Sequence, residues 1–428
     1  FATVAAGVLA ARGEAPDGAQ ALWGWAQAVA GLAVALTAPV LGALVDRSGR
    51  KTWWVMGFAA LSLPCAWAMW FLHPDGTNLW PVLLLFWVGF VAMEAALNVN
   101  NAQLPALAPP ERIGRISGSG GAMGYWGGVV ALALMLALFV ETPSGLTRLG
   151  LPPAFGLDAA EREGTRAVGP FIALWLAAFL LPYLLWVRDP PRRTAAPRGP
   201  LLAGLGETLR DAGRRPSLLS FLVASMLYRD GLGALYSFGG VYATLVLGWG
   251  LDLIGLFGIV AAVAAAVITW AGGLADQRVG PKPVIVASCG ALIVVCLVMV
   301  GVSRERLFGL PLEAGSSLPD VLFFACGGLI GGAGGAMYSA SRTLMVRHAE
   351  PERAGEAFGL FALTGRATAF LAPALIAATT ALTGSAQWGI APVIGLFLAA
   401  LALLGWTRPD GDRRSQGDPA WPSPRPAS

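Results

Sequence analysis

The stretch Gly-Ala-Leu-Val-Asp-Arg-Ser-Gly-Arg-Lys at residues 42–51 decides the fold, because it recurs in degenerate form as Gly-Gly-Leu-Ala-Asp-Gln-Arg-Val-Gly-Pro-Lys at residues 272–282. A second motif, Pro-Glu-Arg-Ile-Gly at residues 110–114, recurs as Pro-Glu-Arg-Ala-Gly at residues 351–355. Both motifs separate long apolar segments, and each takes the same place in the order of segments in its half. Two matches at corresponding positions indicate an internal duplication of a multi-segment unit.

The composition is typical of a polytopic helical membrane protein. Of the 428 residues, 56% are hydrophobic and 13% are charged, and the mean hydropathy is +0.65. A soluble domain carries roughly 25% charged residues, so this chain has too little charge to cover a soluble surface of its size. The composition excludes a soluble enzyme, a secreted disulfide scaffold, a disordered chain and a nucleic-acid binder.

Twelve apolar spans separated by charged connectors are predicted, each about long enough to cross a bilayer except the first. The first span has only eleven residues before Arg12, about 16 Å of helix, so we expect Phe1 to lie inside a helix whose start is missing. The spans are 1–11, 20–45, 52–72, 79–104, 120–140, 168–187, 217–246, 252–275, 283–302, 320–345, 356–383 and 387–406.

The cations are distributed unevenly between alternate connectors. Of the 29 lysines and arginines, 21 fall in one set of connectors and the tail, and six fall in the other set. By the positive-inside rule this places both termini in the cytoplasm. Arginine outnumbers lysine 27 to 2, which favours a bacterial inner membrane.

Four parts are predicted along the chain. Residues 1–187 and 217–406 form the two six-helix halves. The connector at 188–216 is a basic, proline-rich linker, and its stretch Leu201 to Leu209 has leucines at helical spacing, typical of a helix that lies on the inner membrane surface. The tail at 407–428 is rich in Pro, Ser and Asp and is predicted to be disordered.

The first motif resembles the signature loop of the major facilitator superfamily. Within it, the chain is similar to the vacuole-effluxer-like branch, which includes a fungal vacuolar amino-acid effluxer linked to autophagy. That similarity rests on Asn-Ala-Gln-Leu-Pro (101–105) with the following 115–118 and 124–128, on Leu-Tyr-Arg-Asp-Gly (227–231), and on Ser-Arg (341–342) followed by Phe-Gly-Leu (358–360). In the branch, a polar Tyr-Asp-Trp-Ala-Asn element precedes a run like Phe1–Val4.

The resemblance implies an all-α polytopic membrane protein with twelve transmembrane helices in two six-helix halves that works by alternating access. It also implies a central cavity lined by spans 1, 4, 7 and 10, and an amino acid or similar small polar metabolite as the exported solute. Each of these is an expectation for this chain.

The signature loop is interpreted as a conformational latch that closes one side of the transporter. Asp46 can accept hydrogen bonds from N–H groups at a neighbouring helix start, where the helix dipole favours an anion. The alternative is a solvated turn that obeys the positive-inside rule, and for Arg50 and Lys51 the two interpretations are equally favoured. The latch residues are Gly42, Asp46, Arg47, Gly49, Arg50 and Lys51, with Asp276 and Lys282 in the second copy.

Ionisable groups at membrane depth cost roughly 2.5–3.5 kcal/mol each to insert, so each is a functional hypothesis. Glu94 has Asn98 and Asn101 at i+4 and i+7, on one helical face. That face predicts contact with a cavity in span 4. The alternative is interhelical hydrogen bonding near the cytoplasmic end.

Asp230 lies about 20 Å of helical rise into span 7, with Gly231 and Gly233 after it. The glycines predict a loosened helix, a feature of transporter binding sites. We expect Asp230 to pair with Arg366 of span 11, either as a proton-carrying site, since burial and a cation act on a carboxylate in opposite senses, or as a permanent ion pair. Tyr228, in the same stretch, is a candidate substrate contact.

Arg342, near the inner end of span 10, has two interpretations that are equally favoured. Its side chain either meets an anionic group such as a carboxylate or extends to a lipid phosphate. Two sets of glycines predict close helix packing: Gly120, Gly124 and Gly128 in span 5, and the run at residues 327–335 in span 10.

No catalytic residues, cofactor or metal site are predicted. The sequence has no phosphate-binding Gly-x-x-x-x-Gly-Lys-Ser/Thr loop, no His-Glu-x-x-His and no Gly-x-Ser-x-Gly motif. Its four cysteines lie within apolar runs, and its two histidines lie at segment ends without ligand-spaced neighbours.

The function predicted is secondary active transport of a small polar solute, with an ion or solute gradient, such as that of protons, as the energy source. The expected partners are the solute, protons and the lipid bilayer, with no nucleic acid, and the chain is expected to be a monomer. The alternatives are a non-transporting receptor or scaffold of the same fold, and a membrane-embedded lipid-modifying enzyme.

Overall fold

The computed structural model describes residues 16–142, 144–189, 201–313 and 315–411. The predicted first span at residues 1–11 and the tail from residue 412 onward lie outside this part of the chain. The helices of the first stretch are α1 Pro16–Ser48, α2 Lys51–Trp67 (continued by a 3₁₀ turn Ala68–Phe71), α3 Leu79–Asn101, α4 Leu104–Leu107, α5 Pro110–Leu138, α6 Glu163–Arg166 and α7 Val168–Trp186.

The remaining helices follow the linker, and most of them are long. They are α8 Leu201–Arg214, α9 Pro216–Leu247, α10 Leu251–Val279, α11 Pro281–Gly301, α12 Leu318–His348, α13 Ala354–Ala367, α14 Leu371–Thr383, α15 Ala386–Gly389 and α16 Ala391–Trp406. Two-residue strands, β1 Arg306–Leu307 and β2 Leu310–Pro311, pair antiparallel in the connector between α11 and α12.

The predicted all-helical polytopic fold is confirmed. Eleven helical segments in the described residues are long and apolar enough to cross a membrane. They correspond in order to the second through twelfth predicted spans.

The described helices group into two compact units. Unit 1 comprises Phe1–Ala102 and Val130–Arg198, and unit 2 comprises Gln103–Val129 and Gly199–Ser428. Helix α5 is therefore divided between the units: its residues up to Val129 belong to unit 2, and its residues from Val130 onward belong to unit 1.

Small residues bring the helices of unit 1 together. A Cβ at Gly89 of α3 would lie 2.7 Å from the Cβ of Cys65 in α2, and a Cβ at Gly169 of α7 would lie 2.5 Å from the carbonyl oxygen of Ala66. Asp189, which follows α7, accepts the N–H and the hydroxyl of Thr52 at 2.8 and 2.9 Å. Its carboxylate thereby caps the first turn of α2.

In unit 2 the glycine run of span 10 packs closely, as predicted. A Cβ at Gly331 of α12 would overlap the backbone of Ala261 in α10. Substitutions at Gly327, Gly332 or Gly335 would overlap the side chains of other residues of α10. Small residues at a helix interface let backbones approach closely, and here they join α10 to α12.

The prediction for span 5 is wrong in two respects. Helix α5 begins at Pro110, ten residues before the predicted start, because a proline with Glu111 behind it forms a favourable first turn. The glycines that pack closely are also different ones. A Cβ at Gly120, Gly124 or Gly128 would meet no atom within 4 Å.

The close contacts of α5 are made by Gly114, Gly118 and Gly121. A Cβ on Gly118 would overlap the backbone of Gly273, and a Cβ on Gly121 would lie 3.0 Å from Cγ2 of Thr269. The tight face of α5 is therefore offset from the predicted one, and it packs on α10 within unit 2.

The loosened helix predicted after Asp230 is not observed. Helix α9 runs unbroken through Gly231 and Gly233, and a Cβ at Gly231 would lie 3.2 Å from the ring of Phe397 in α16. Gly231 thus allows close packing rather than a break. The eleventh span, in contrast, is interrupted near its middle, where α13 ends at Ala367 and α14 begins at Leu371.

The stretch predicted as a surface helix is helical and forms the first part of α8. Further along α8, the Thr208 hydroxyl bonds to Glu356 and to Arg353. Beyond α16, Thr407 accepts a hydrogen bond from Lys282 at 2.8 Å. Helix α8 and the residue directly after α16 are thus both held against other parts of unit 2.

Candidate functional site

The first signature loop contains a short ionic contact across a turn. Gly49 adopts φ +67° between α1 and α2, a left-handed conformation that glycine adopts readily. This turn brings the Lys51 ammonium to 3.4 Å from Oδ1 of Asp46, whose side chain is buried. Lys51 also donates to the carbonyl oxygen of Ala102 at 3.1 Å, at the C-terminal end of α3, where the helix dipole favours a cation.

The other latch residues of unit 1 differ in exposure. Gly42 is buried and Arg47 is half-buried. Arg50 is exposed, directly before α2. The two cations that the sequence did not distinguish are therefore distinct: Lys51 holds α1, α2 and α3 together, and Arg50 does not.

Replacing Lys51 with Met is expected to lower the free energy of unfolding by roughly 1–3 kcal/mol, because it removes a charged partner from the buried Asp46 carboxylate. The measurement is the midpoint of thermal unfolding of the purified protein in detergent. Arg50→Met is the matched control and is expected to leave the midpoint unchanged. Equal midpoints for the two variants would show that the Asp46–Lys51 contact does not stabilise unit 1.

The second copy of the signature has a different arrangement. Asp276 is 1% exposed, and its carboxylate lies close enough to Thr343 and Arg347 to interact with both. A Cβ at Gly114 would lie 2.7 Å from Oδ1 of Asp276, so the carboxylate packs on the first turns of α5. Lys282 binds the carbonyl of Thr407 instead.

The Asp230 carboxylate binds the broken span. Asp230 is 7% exposed, and its Oδ2 accepts the backbone N–H of Ala372 at 2.9 Å. Ala372 is the second residue of α14, so an acid from α9 caps a helix that starts at membrane depth, where the exposed N–H groups and the helix dipole favour an anion.

The expected ion pair between Asp230 and Arg366 is not formed. No ion pair joins Asp230 to a cation among the residues that the structure describes. Arg366 lies half-buried in the last turn of α13. The interruption between α13 and α14 leaves a backbone N–H without an intrahelical acceptor, and the Asp230 carboxylate accepts it.

Arg229, next to Asp230, contacts the other piece of the broken span. Its Nη1 donates to the carbonyl oxygen of Phe361 at 2.8 Å. The guanidinium carbon lies 4.5 Å from the ring centroid of Phe361 in α13 and 5.6 Å from that of Tyr338 in α12. A Cβ on Gly365 would overlap the guanidinium. The two neighbouring residues of α9 therefore contact α13 and α14 respectively.

Three tyrosines gather within unit 2, and one of them, Tyr338, contacts Arg229. Tyr125 of α5, Tyr236 of α9 and Tyr338 of α12 lie close enough to interact electrostatically. A Cβ on Gly335 would lie 3.0 Å from the Tyr125 ring, and one on Gly334 would overlap the Tyr236 hydroxyl. We call the set of these three tyrosines and Arg229 the tyrosine–arginine cluster.

Arg342 connects this region to α5. Its Nη2 donates to the carbonyl oxygen of Ser117 at 3.1 Å. The hydroxyl of Ser117 in turn donates to the carbonyl oxygen of Ser339 at 3.0 Å, and the two hydroxyls lie 3.1 Å apart. This contact of Arg342 is a polar link between α5 and α12, and both interpretations of the residue stay predictions.

Tyr228 is fully buried, and its hydroxyl lies 2.7 Å from Oγ of Ser341. In this structure it joins α9 to α12 and is closed to solute.

The polar face predicted on span 4 lies on the continuous helix α3, in unit 1. Glu94 and Asn98 are half-buried, and Asn101 is buried near the end of the helix. The structure therefore brings together two sets of predicted residues separately: Glu94, Asn98 and Asn101 in unit 1, and Tyr228, Asp230, Arg342 and Arg366 in unit 2. The cavity role of the first set stays a prediction.

Sequence reasoning missed the tyrosine–arginine cluster. One signal was present, since Tyr236 follows Arg229 by seven residues and Tyr338 precedes Arg342 by four, both spacings that share a helix face. No spacing within one helix could show that α5, α9 and α12 bring these residues together.

The family model described as vacuole effluxer Atg22 like matches residues 20–417. An uncharacterized MFS-type transporter, YxiO, of Bacillus subtilis (strain 168), is 23% identical over 388 residues, which cover 90% of this chain and 83% of that protein.

Two solved structures show the same architecture. The proton:xylose symporter XylE has a TM-score of 0.73 at 14% identity, covering 96% of this chain and 92% of that one. The transporter FucP in its outward conformation has a TM-score of 0.66 at 16% identity, covering 90% and 89%. At such identities the likeness shows the fold. The family match extends over most of the chain, and this chain therefore belongs to the vacuole effluxer Atg22-like family, with the fold of the major facilitator superfamily transporters.

Proposed function

We propose that this protein is a proton-coupled secondary active transporter that exports a small polar solute, with amino acids as the first candidates, by alternating access. Its family and the fold of its structural neighbours support secondary transport. The solute class, the coupling ion and the direction of transport are parts of the proposal.

The observation that carries the proposal is the Asp230 carboxylate at the break between α13 and α14. Discontinuous helices at membrane depth are where secondary transporters bind ions and substrates. Asp230 is a buried acid whose bond to the described residues is to one backbone N–H. If α14 moves during transport, this carboxylate loses its donor and meets water, and such a change of surroundings alters proton binding by a carboxylate.

The contact of α5 with α10 and α12 supports alternating access. It consists of small residues and weak polar links, Gly118 against Gly273 and Ser117 against Ser339. It also includes the buried Asp276 carboxylate, which packs beside Gly114. An interface of this kind has little to hold it permanently shut, so we propose that it closes the cytoplasmic side in one state and opens in the other.

The distribution of cations supports cytoplasmic termini, and the excess of arginine over lysine, 27 to 2, supports a bacterial inner membrane. In this arrangement the second half, residues 217–406, rocks against the first, residues 1–187, and a single chain is the transporting unit.

Uptake into proteoliposomes tests this function. The purified protein is reconstituted, and radiolabelled amino acids, hexoses and short carboxylic acids are presented with the lumen acidic, with the lumen alkaline, and without a pH gradient. An exporter that exchanges solute for protons accumulates its substrate when the lumen is acidic, because protons leave as solute enters. A protonophore should abolish that accumulation. Failure of every solute to move in any of the three conditions, with correctly folded protein, would overturn the proposal.

A further inference from the structure

Arg229 occupies an unusual position for a cation. It lies near the middle of the 32-residue helix α9, at a depth where a charged side chain costs roughly 2.5–3.5 kcal/mol to insert. Charged groups at such depth are normally paired with an opposite charge or with several carbonyls. No acidic side chain among the described residues forms an ion pair with Arg229.

The protein positions this guanidinium but uses few of its donors. The ring of Phe361 and the ring of Tyr338 hold it by cation–π contact. A guanidinium has five N–H donors, and one bond, from Nη1 to the Phe361 carbonyl, is made to the described residues. The Nε atom is buried without a hydrogen-bond partner in that part of the chain.

Open space begins one turn along α9 from Arg229. A Cβ at Gly233 would meet no atom within 4 Å, and Tyr236, a further turn along, is 46% exposed. Because residues 229, 233 and 236 share one helix face, this face has a half-buried cation at one end, a gap without a side chain in the middle, and a tyrosine at the other end.

We infer that Arg229 binds the carboxylate of the transported solute, and that the rest of the solute lies over Gly233 toward the tyrosines. A planar guanidinium with unused donors matches a carboxylate, which it can bind through two parallel hydrogen bonds. The aromatic rings that surround it suit an apolar side chain on the solute. The substrates are therefore small carboxylate-bearing molecules rather than neutral sugars or amines.

This assignment separates two tasks on adjacent residues of α9. Arg229 and Asp230 lie about 100° apart around the helix, and they contact α13 and α14 respectively. Arg229 recognises the solute, and Asp230 responds to the movement of the broken span. The inference rests on the proposed transport function, which it deepens by naming the group that is recognised.

The test compares each carboxylate with its own uncharged or decarboxylated counterpart. Exchange in proteoliposomes is measured for L-leucine, L-leucinamide and isoamylamine, for lactate and lactamide, and for a neutral hexose. We expect carboxylates to be exchanged and their counterparts not. Arg229→Gln should raise the KM for the carboxylates about 10- to 100-fold, and Arg229→Lys, which keeps the charge but not the planar fork, should fall between.

Two further variants keep the result interpretable. Gly233→Leu leaves the guanidinium intact and fills the gap, so it should raise the KM for L-leucine more than that for lactate. Arg148→Gln, at an exposed position in the connector after α5, is the control and should leave each KM unchanged. Size-exclusion profiles and thermal unfolding establish that each variant is folded.

The outcomes distinguish the inference from the function on which it rests. If solutes move but amides, amines or a hexose move as well as carboxylates, or if Arg229→Gln leaves the KM for every carboxylate unchanged, Arg229 does not bind the carboxylate, although transport stands. If no solute moves at all with the wild-type protein, both the transport function and the inference are overturned.

Discussion

Asp230→Asn is expected to lose gradient-driven accumulation while it keeps solute exchange. The amide oxygen of Asn can still accept the N–H of Ala372, which the Asp230 carboxylate binds at 2.9 Å, so the cap on α14 is retained. The amide cannot take up and release a proton. If one proton is exchanged for each solute, a gradient of one pH unit supports about tenfold accumulation, and that factor of about ten is what the variant should lose.

The measurement is the ratio of solute inside to outside in proteoliposomes with an acidic lumen, next to the rate of exchange without a gradient. Asp230→Ala extends the test, because it removes the acceptor as well as the proton site. It should lose accumulation and should also lower the free energy of unfolding by about 1 kcal/mol, the loss expected when a helix start is left without its cap. This pair of variants separates the coupling role of Asp230 from its capping role.

Asp252→Asn, at an exposed carboxylate in the first turn of α10, is the matched control and should accumulate solute as the wild-type protein does. An Asp230→Asn variant that still accumulates solute in proportion to the pH gradient would show that the proton is carried elsewhere.

The sequence identified Asp230 as a functional candidate but did not identify its partner. A charge within the membrane is costly, which is why Asp230 could be identified as a functional candidate. The lengths of the apolar segments likewise predicted the order of the spans. The only cation in span 11 was the natural partner to expect. The true partner is an N–H group released by a break at residues 368–370, Thr-Ala-Phe. The signal for that break was Pro373, which has no N–H to donate to the carbonyl of Ala369 one turn earlier, and the prediction did not use it.

Gly231 misled the prediction for the same physical reason. Glycine permits both a loosened helix and a close approach of another element, and only the neighbours decide between them. Here the neighbour is Phe397, 3.2 Å from where a Cβ would stand. The glycines of α5 show this again, since Gly118 packs closely and Gly120, two residues along, faces open space.

Gly118→Ala is expected to slow transport by one to two orders of magnitude. A Cβ at this position would overlap the backbone of Gly273, and it would also lie 3.0 Å from the carbonyl oxygen of Thr269. Both neighbours are backbone, so α5 and α10 must move apart to accept even one methyl group. Overpacking of this kind costs typically 1–3 kcal/mol, and only the state in which the two helices touch bears that cost.

A bias of that size changes the equilibrium between two conformations by about 5- to 150-fold. The transport cycle must pass through both conformations, and in the variant the conformation with the α5–α10 contact closed is populated too rarely. Gly273→Ala meets the same contact from the other side, with a Cβ 2.7 Å from Cα of Gly118, and should slow transport similarly. Gly120→Ala, on the same helix with nothing within 4 Å of its Cβ, is the control and should transport normally.

Cross-linking reports on the closed contact itself. The hydroxyls of Ser117 and Ser339 lie 3.1 Å apart, so the double substitution Ser117→Cys with Ser339→Cys should form a disulfide under mild oxidation and stop transport until it is reduced. Adding Gly118→Ala to that pair should lower the yield of the disulfide, whereas adding Gly120→Ala should not. The same free energy that separates α5 from α10 in the variant also slows transport. The loss of disulfide yield and the loss of transport rate should therefore increase together. A Gly118→Ala protein that transports and cross-links like the wild type would mean that α5 and α10 stay together throughout transport.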